Sequence, residues 1–130
     1  MSDKTITERL EVKRQRRLAL LHAPEELDEI IGVTDRRAGL DVADVMVLYA
    51  MDRAALTTQL PPLLASAIPS AILWIAYPKL SSPLAGNLDR ETIRSIASSS
   101  GMKIVSQIAL SSDWSAMRLG RNQLTAGLRR

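Results

Sequence analysis

Two uninterrupted apolar runs constrain this chain more than any other feature. Val45–Met51 (Val-Met-Val-Leu-Tyr-Ala-Met) and Ala71–Tyr77 (Ala-Ile-Leu-Trp-Ile-Ala-Tyr) each hold seven residues without a charge. A strand wet on one face alternates apolar and polar side chains, whereas an unbroken run belongs to a strand covered on both faces. Seven residues are too few to cross a membrane, which takes roughly 20. The runs predict a central sheet with helices packed above and below it.

The segments around them supply those helices. Leu18–His22 (Leu-Ala-Leu-Leu-His) reads as a further, shorter buried strand. Pro24 suits the first position of a helix, where its missing N–H costs nothing, and Glu25 and Glu26 complement the helix dipole. Leu27, Ile30 and Ile31 share one face of that helix, and Gly32 is placed to end it. Residues 33–41 are weakly patterned, at most a short edge strand. Leu56, Leu60, Leu63, Leu64, Ala67 and Ile68 recur with helical spacing. Pro61 and Pro62 predict a kink there, or a break near Leu60 with a second helix starting at Pro61. Beyond a turn-rich loop at Pro78–Pro83, Asn87 or Asp89 can cap a helix that turns Ile93, Ile96 and Ala97 inward and stops at Gly101. Ile104–Leu110 and Trp114–Leu119 flank the turn Ser111–Asp113 and read as an antiparallel hairpin. Strands alternating with helices imply a mostly parallel sheet built by right-handed crossovers and closed by that hairpin.

A length of 130 residues fits one domain, expected over residues 18–119, with a basic arm at 1–17 and a basic tail at 120–130. The chain has no cysteine and one histidine, so it can build neither a disulfide framework, nor a thiolate metal site, nor a multi-histidine one. No metal and no cofactor are expected. The first 17 residues are charged and no signal-peptide core follows them, so the expected location is the cytoplasm, with no membrane association.

The net charge of +3 hides a division: residues 1–17 carry +3, residues 18–113 carry −4, and residues 114–130 carry +4. Lys13, Arg14, Arg16 and Arg17 form the densest basic cluster, the candidate contact for nucleic acid. No aromatic ring lies among them to stack on a base, so a solvated arm is the preferred reading and nucleic-acid binding the weaker one.

Several motifs resemble a known family. The strand end Leu73–Lys79 (Leu-Trp-Ile-Ala-Tyr-Pro-Lys), the Ser81-Ser82 pair, the helix start Leu88–Arg94 and the hairpin residues Asp113–Ala116 resemble a family of small bacterial proteins of unknown function, as does Leu20–Glu25. The overall pattern is similar to the later half of the Rossmann-like methyltransferase fold, in which the last strand enters antiparallel. The resemblance implies a single three-layer Rossmann-like α/β domain without the glycine-rich cofactor loop, and it supplies no catalytic residues.

The residues agree on that last point. Methyltransferase chemistry on such a fold needs glycines after the first strand, letting backbone approach the cofactor. Here that turn is His22-Ala23-Pro24-Glu25-Glu26, and Asp35 alone is a poor substitute for a ribose-binding acid. No Gly-Xaa-Ser-Xaa-Gly elbow occurs. The best candidate site is Lys79, Ser81 and Ser82, one point charge and two hydroxyls after a confident parallel strand, suited to a small anion. His22 and Trp114 are expected on the same rim. Trp74, Tyr77 and Trp114 otherwise read as core filling in a chain without phenylalanine.

The expected function is non-catalytic binding of a small anion or a protein partner. The alternatives are a divergent nucleotide-dependent or transferase-like enzyme using the Lys79–Ser82 rim, and a nucleic-acid binder acting through its basic arms. Self-association through an exposed sheet edge is a further expectation.

Overall fold

The computed structural model describes residues 6–12, 16–32, 34–68 and 70–121. In chain order its elements are α1 (Ile6–Arg9), β1 (Leu18–Leu21), α2 (Glu25–Ile31), a 3-10 turn (Thr34–Arg36), β2 (Val45–Tyr49), α3 (Arg53–Ser66), β3 (Ile72–Pro78), α4 (Arg90–Ser99), β4 (Met102–Ala109) and β5 (Trp114–Arg121). The five strands form one sheet in the order β1-β2-β3-β5-β4.

The two apolar runs lie side by side in the middle. β2 pairs in parallel with both β1 and β3, with Val47 opposite Leu20 on one side and Trp74 on the other. Alternate residues of these strands feed two separate cores. Val45, Val47, Trp74 and Ala76 pack beneath α2 with Leu27 and Ile31. Met46, Leu48, Leu73 and Ile75 pack beneath α3 and α4 with Leu56, Leu60, Leu63, Ile93 and Ala97. Burial on both faces is what an unbroken apolar run requires.

The hairpin corrects the expected sheet. β5 runs antiparallel to both β3 and β4 and lies between them. Two of the four ladders are therefore parallel and two antiparallel: the sheet is mixed rather than mostly parallel, and it is open, with β1 and β4 at its edges. The turn at Ser111–Asp113 folds β5 back onto β4, and β5 then inserts beside β3 instead of extending the outer edge. The exposed β4 edge carries a register shift between Ile104 and Ser106. Such a bulge discourages pairing with another chain. At the other edge, the weakly patterned stretch after α2 contributes a single parallel bridge, Arg37 to Leu18. Arg37 also holds α2 in place, donating to the Asp28 carboxylate and to the Gly32 carbonyl at 2.8 Å.

Pro61 and Pro62 do not divide α3, which is one helix from Arg53 to Ser66. Proline removes the hydrogen bond to the carbonyl four residues back. The carbonyls released belong to Thr57 and Thr58, which are exposed, as are both prolines. The loss falls on the exposed side of the helix, while Leu56, Leu60 and Leu63 anchor the opposite face.

The N-terminal arm is in part core. Leu10 and Val12 are completely buried, and the Trp74 indole N–H donates to the Leu10 carbonyl at 2.9 Å. This contact links residues 64 positions apart and ties the arm to the central strand. At the other end, β5 continues to Arg121, past the expected limit of the domain. Leu10→Ala should therefore destabilise the protein by about 2–5 kcal/mol, as a core truncation does. Urea unfolding would detect it, and a change under about 0.5 kcal/mol would place the arm outside the cooperative unit.

Candidate functional site

Because β1, β2 and β3 are parallel, their C-terminal ends share one rim, and the antiparallel β5 begins there. His22 follows β1, Lys79 follows β3, and Trp114 opens β5. All three expected rim residues lie at this end of the sheet, but they do not meet in one place.

His22 is exposed and adopts a left-handed backbone, with φ 61°. It borders a pocket of about 310 Å³ between β1, β2 and α3, walled mainly by Leu21, Leu48 and Leu63. Lys79 and Ser81 border a different pocket of about 340 Å³, set between the tips of β3 and β5 and the start of α4. The two pockets share no lining residue. Trp114 lies on the opposite face of the sheet from Tyr77, in the core beneath α2. Its buried indole N–H approaches the Tyr49 hydroxyl without completing a hydrogen bond. Burial raises the Tyr49 pKa, an effect this indole partly offsets.

Ser82 has a structural position. Its hydroxyl donates to the Asp113 carboxylate at 2.8 Å and accepts from the Leu84 N–H at 3.0 Å. The Lys79 N–H donates to the Asp113 carbonyl at 2.8 Å. Together these bonds fasten the loop after β3 to the turn before β5. The same loop is held from its far side, where the Asn87 side chain accepts from the Arg53 N–H at 2.8 Å. A Cβ on Gly86 would collide with the Met51 carbonyl, so only glycine allows this approach.

Beneath Lys79 lies a polar network that single-residue reading of the sequence did not reveal. The β3–β5 register sets Tyr77 opposite Ser115, and the β4–β5 register brings Gln107 alongside. Tyr77 and Ser115 are almost fully buried. Arg90 donates to Gln107 Oε1 at 3.2 Å. Gln107 Nε2 then faces the Tyr77 oxygen at 3.2 Å and Ser115 Oγ at 3.3 Å. Ser115 donates to the Ile108 carbonyl at 2.9 Å. Since a guanidinium can only donate, it fixes the Gln107 orientation, and the remaining donors and acceptors follow. The Tyr77 oxygen accepts from Gln107, and Ser115 lies within hydrogen-bonding reach of the same hydroxyl. Burial raises the Tyr77 pKa, so the phenol stays protonated; Ser115 and the nearby Arg90 charge oppose the shift without reversing it.

The charged groups around this pocket are Lys79, Asp89 and Arg90. Lys79 is half-buried, and among the described residues no carboxylate lies within ion-pair distance of it. Asp89 caps α4, accepting from the Thr92 N–H at 2.8 Å. Hydrogen bonds from the Thr92 side chain and N–H hold its carboxyl below the ordinary value of 3.8, assisted by the Arg53 charge.

The basic cluster of the arm is only partly visible, since Lys13 and Arg14 lie outside the described residues. Arg16 donates to the Glu11 carbonyl at 2.9 Å, and the Arg17 N–H donates to Asp44 at 2.8 Å. Among the described residues no group of His, Cys, Asp and Glu side chains could hold a metal ion. No described helix is long and apolar enough to cross a membrane.

Layers and strand order define the class: an α/β domain with the fold of Rossmann-like methyltransferases. The chain is similar to a ribosomal protein methylase from Lactobacillus delbrueckii subsp. bulgaricus, at 13% identity and TM-score 0.56, over 89% of this chain and 74% of that one. It is similar to an O-methyltransferase family 2 protein from Planctomyces limnophilus, at 16% identity and TM-score 0.56, over 90% and 56%. A magnesium protoporphyrin IX methyltransferase from Synechocystis, solved with bound SAM, matches at 9% identity and TM-score 0.55, over 89% and 74%. Identities this low establish the fold alone. The chain belongs to the family described as "Protein of unknown function (DUF3052)", whose family model matches residues 24–123. No curated protein sequence matches it significantly.

The Asp89 cap has a pH signature. Its contribution to stability is fully present above the unfolded carboxylate value and is lost as pH falls through the lowered folded value. Asp89→Asn retains a cap without a titrating charge. Urea unfolding near pH 5 and again near pH 3 should show wild type losing more stability than the variant across that interval.

Proposed function

We propose that this protein is a non-catalytic binding domain that takes a small anion between Tyr77, Lys79 and Arg90. The observation that carries the reading is an ammonium without an ion-pair partner among the described residues, in one pocket with the Arg90 guanidinium and the Tyr77 and Ser81 hydroxyls. An anion here would pair with the Lys79 charge and accept from Tyr77. Ser81 borders the pocket and adds a hydroxyl, while Ser82 supports the site by holding its loop to Asp113. A cytoplasmic setting belongs to this proposal and rests on the sequence reading.

His22-Ala23-Pro24 favours binding over methyl transfer, since Pro24 lacks an N–H and no glycine permits close backbone approach. Thermal unfolding against phosphate, short carboxylates, nucleotides, coenzyme A and S-adenosylmethionine tests the reading. At about 100 times its dissociation constant, a bound ligand adds about 2.7 kcal/mol. The expected result is a melting shift with at least one anion that disappears in Lys79→Ala. No shift with any anion overturns the reading. A selective shift with S-adenosylmethionine that survives Lys79→Ala replaces it with a cofactor-binding one.

A further inference from the structure

The lining of the Lys79 pocket has two features that bear on what it could take. Its charged lining is Lys79 and Arg90 against Asp89, a formal balance of +1. A monoanion matches that balance, whereas a phosphate dianion meets the Asp89 carboxylate with a charge left over. Its second wall is apolar. Leu88 is buried, but Leu80 borders the same pocket with 59% of its surface exposed. An exposed leucine beside a cationic, hydroxyl-lined recess suits a ligand with one charged end and one hydrocarbon end.

The donors fit the same description. Arg90 gives one N–H to Gln107, which spends its amide on Tyr77 and Ser115, whose own proton goes to Ile108. The donors at the pocket are the Lys79 ammonium, the Ser81 and Tyr77 hydroxyls and the other guanidinium N–H groups of Arg90. Two carboxylate oxygens can accept from these. A volume of about 340 Å³ lies at the low end for ligand pockets, which are roughly 300–1,000 Å³.

Resting on the anion-binding reading, we infer that the ligand is a monocarboxylate carrying a short hydrocarbon tail, its carboxylate on Lys79 and Tyr77 and its tail along Leu80 and Leu88. Calorimetric titration of the full chain with acetate, butanoate, hexanoate, hexan-1-ol and inorganic phosphate, at matched ionic strength, tests it. Affinity should rise about fourfold for each methylene added to the acid. Hexan-1-ol and phosphate should bind at least tenfold more weakly than hexanoate. Lys79→Ala should abolish binding of all the acids. Leu80→Ser, a change at an exposed position, should flatten the dependence on chain length, so that hexanoate loses more affinity than acetate. Binding of phosphate without the carboxylates overturns this inference and leaves the anion site standing. Equal binding of hexan-1-ol and hexanoate, or no binding of any anion, overturns both. A chain-length dependence unaltered by Leu80→Ser overturns the placement of the tail.

Discussion

The antiparallel register between β3 and β5 is the constraint on which the rest of the molecule turns. It sets the last residues of β3 against the first residues of β5, so that Tyr77 faces Ser115 and Pro78 faces Trp114. Side chains alternate across a sheet, and this one pairing therefore sends two different constellations to opposite faces of the same rim. On the α4 side it assembles the Tyr77–Gln107–Ser115 network; on the α2 side it buries Trp114. Had β5 extended the outer edge beyond β4, the same residues would have been separated by a strand width and no polar floor would lie beneath Lys79.

Loops at the rim depend on that register in turn. The Ser82–Asp113 bond joins the exit of β3 to the entry of β5, while Asn87 and Gly86 press the same loop onto the start of α3. A segment rich in serine and proline is thus held at both ends, and Lys79 projects from a fixed backbone. The arm plays the matching part beneath the sheet, where Leu10 receives the Trp74 indole N–H and closes the core under the central strand. The fold is shared with methyltransferases, but fold alone does not confer their chemistry. Here the turn after β1 and the pocket beyond β3 have different characters.

Much of this was legible in the sequence. The apolar runs located β2 and β3 because burial on both faces leaves an unmistakable composition. Gly32 ended α2 with φ 68°, and Asp89 capped α4, since both signals act through a few neighbouring residues. What failed to show depends on distant partners. Strand order has no local signature, so the insertion of β5 and the mixed sheet could not be read from the hairpin alone. Leu10 and Val12 lie among charged residues and form no run, although both are fully buried. The prolines in α3 announced a kink or a break, and the helix runs unbroken from Arg53 to Ser66 over its packed leucine face. At the site, Lys79 and Ser81 were visible as a charge and a hydroxyl after a strong strand. Tyr77 read as core filling, and Gln107, Ser115 and Arg90 gave no signal, because their meaning lies in a register across three strands and in the start of α4 beside them.

The proposed function puts the ligand at the β3–β5–α4 corner of the rim rather than at the β1 turn. Backbone amide chemical shifts followed during titration with hexanoate test it most directly. The amides of Lys79–Ser81, Arg90, Gln107 and Ser115 should move together along one saturating curve, while those of Leu18–His22 stay in place. Shifts centred on His22 and the start of α2, with the Lys79 corner silent, would contradict it.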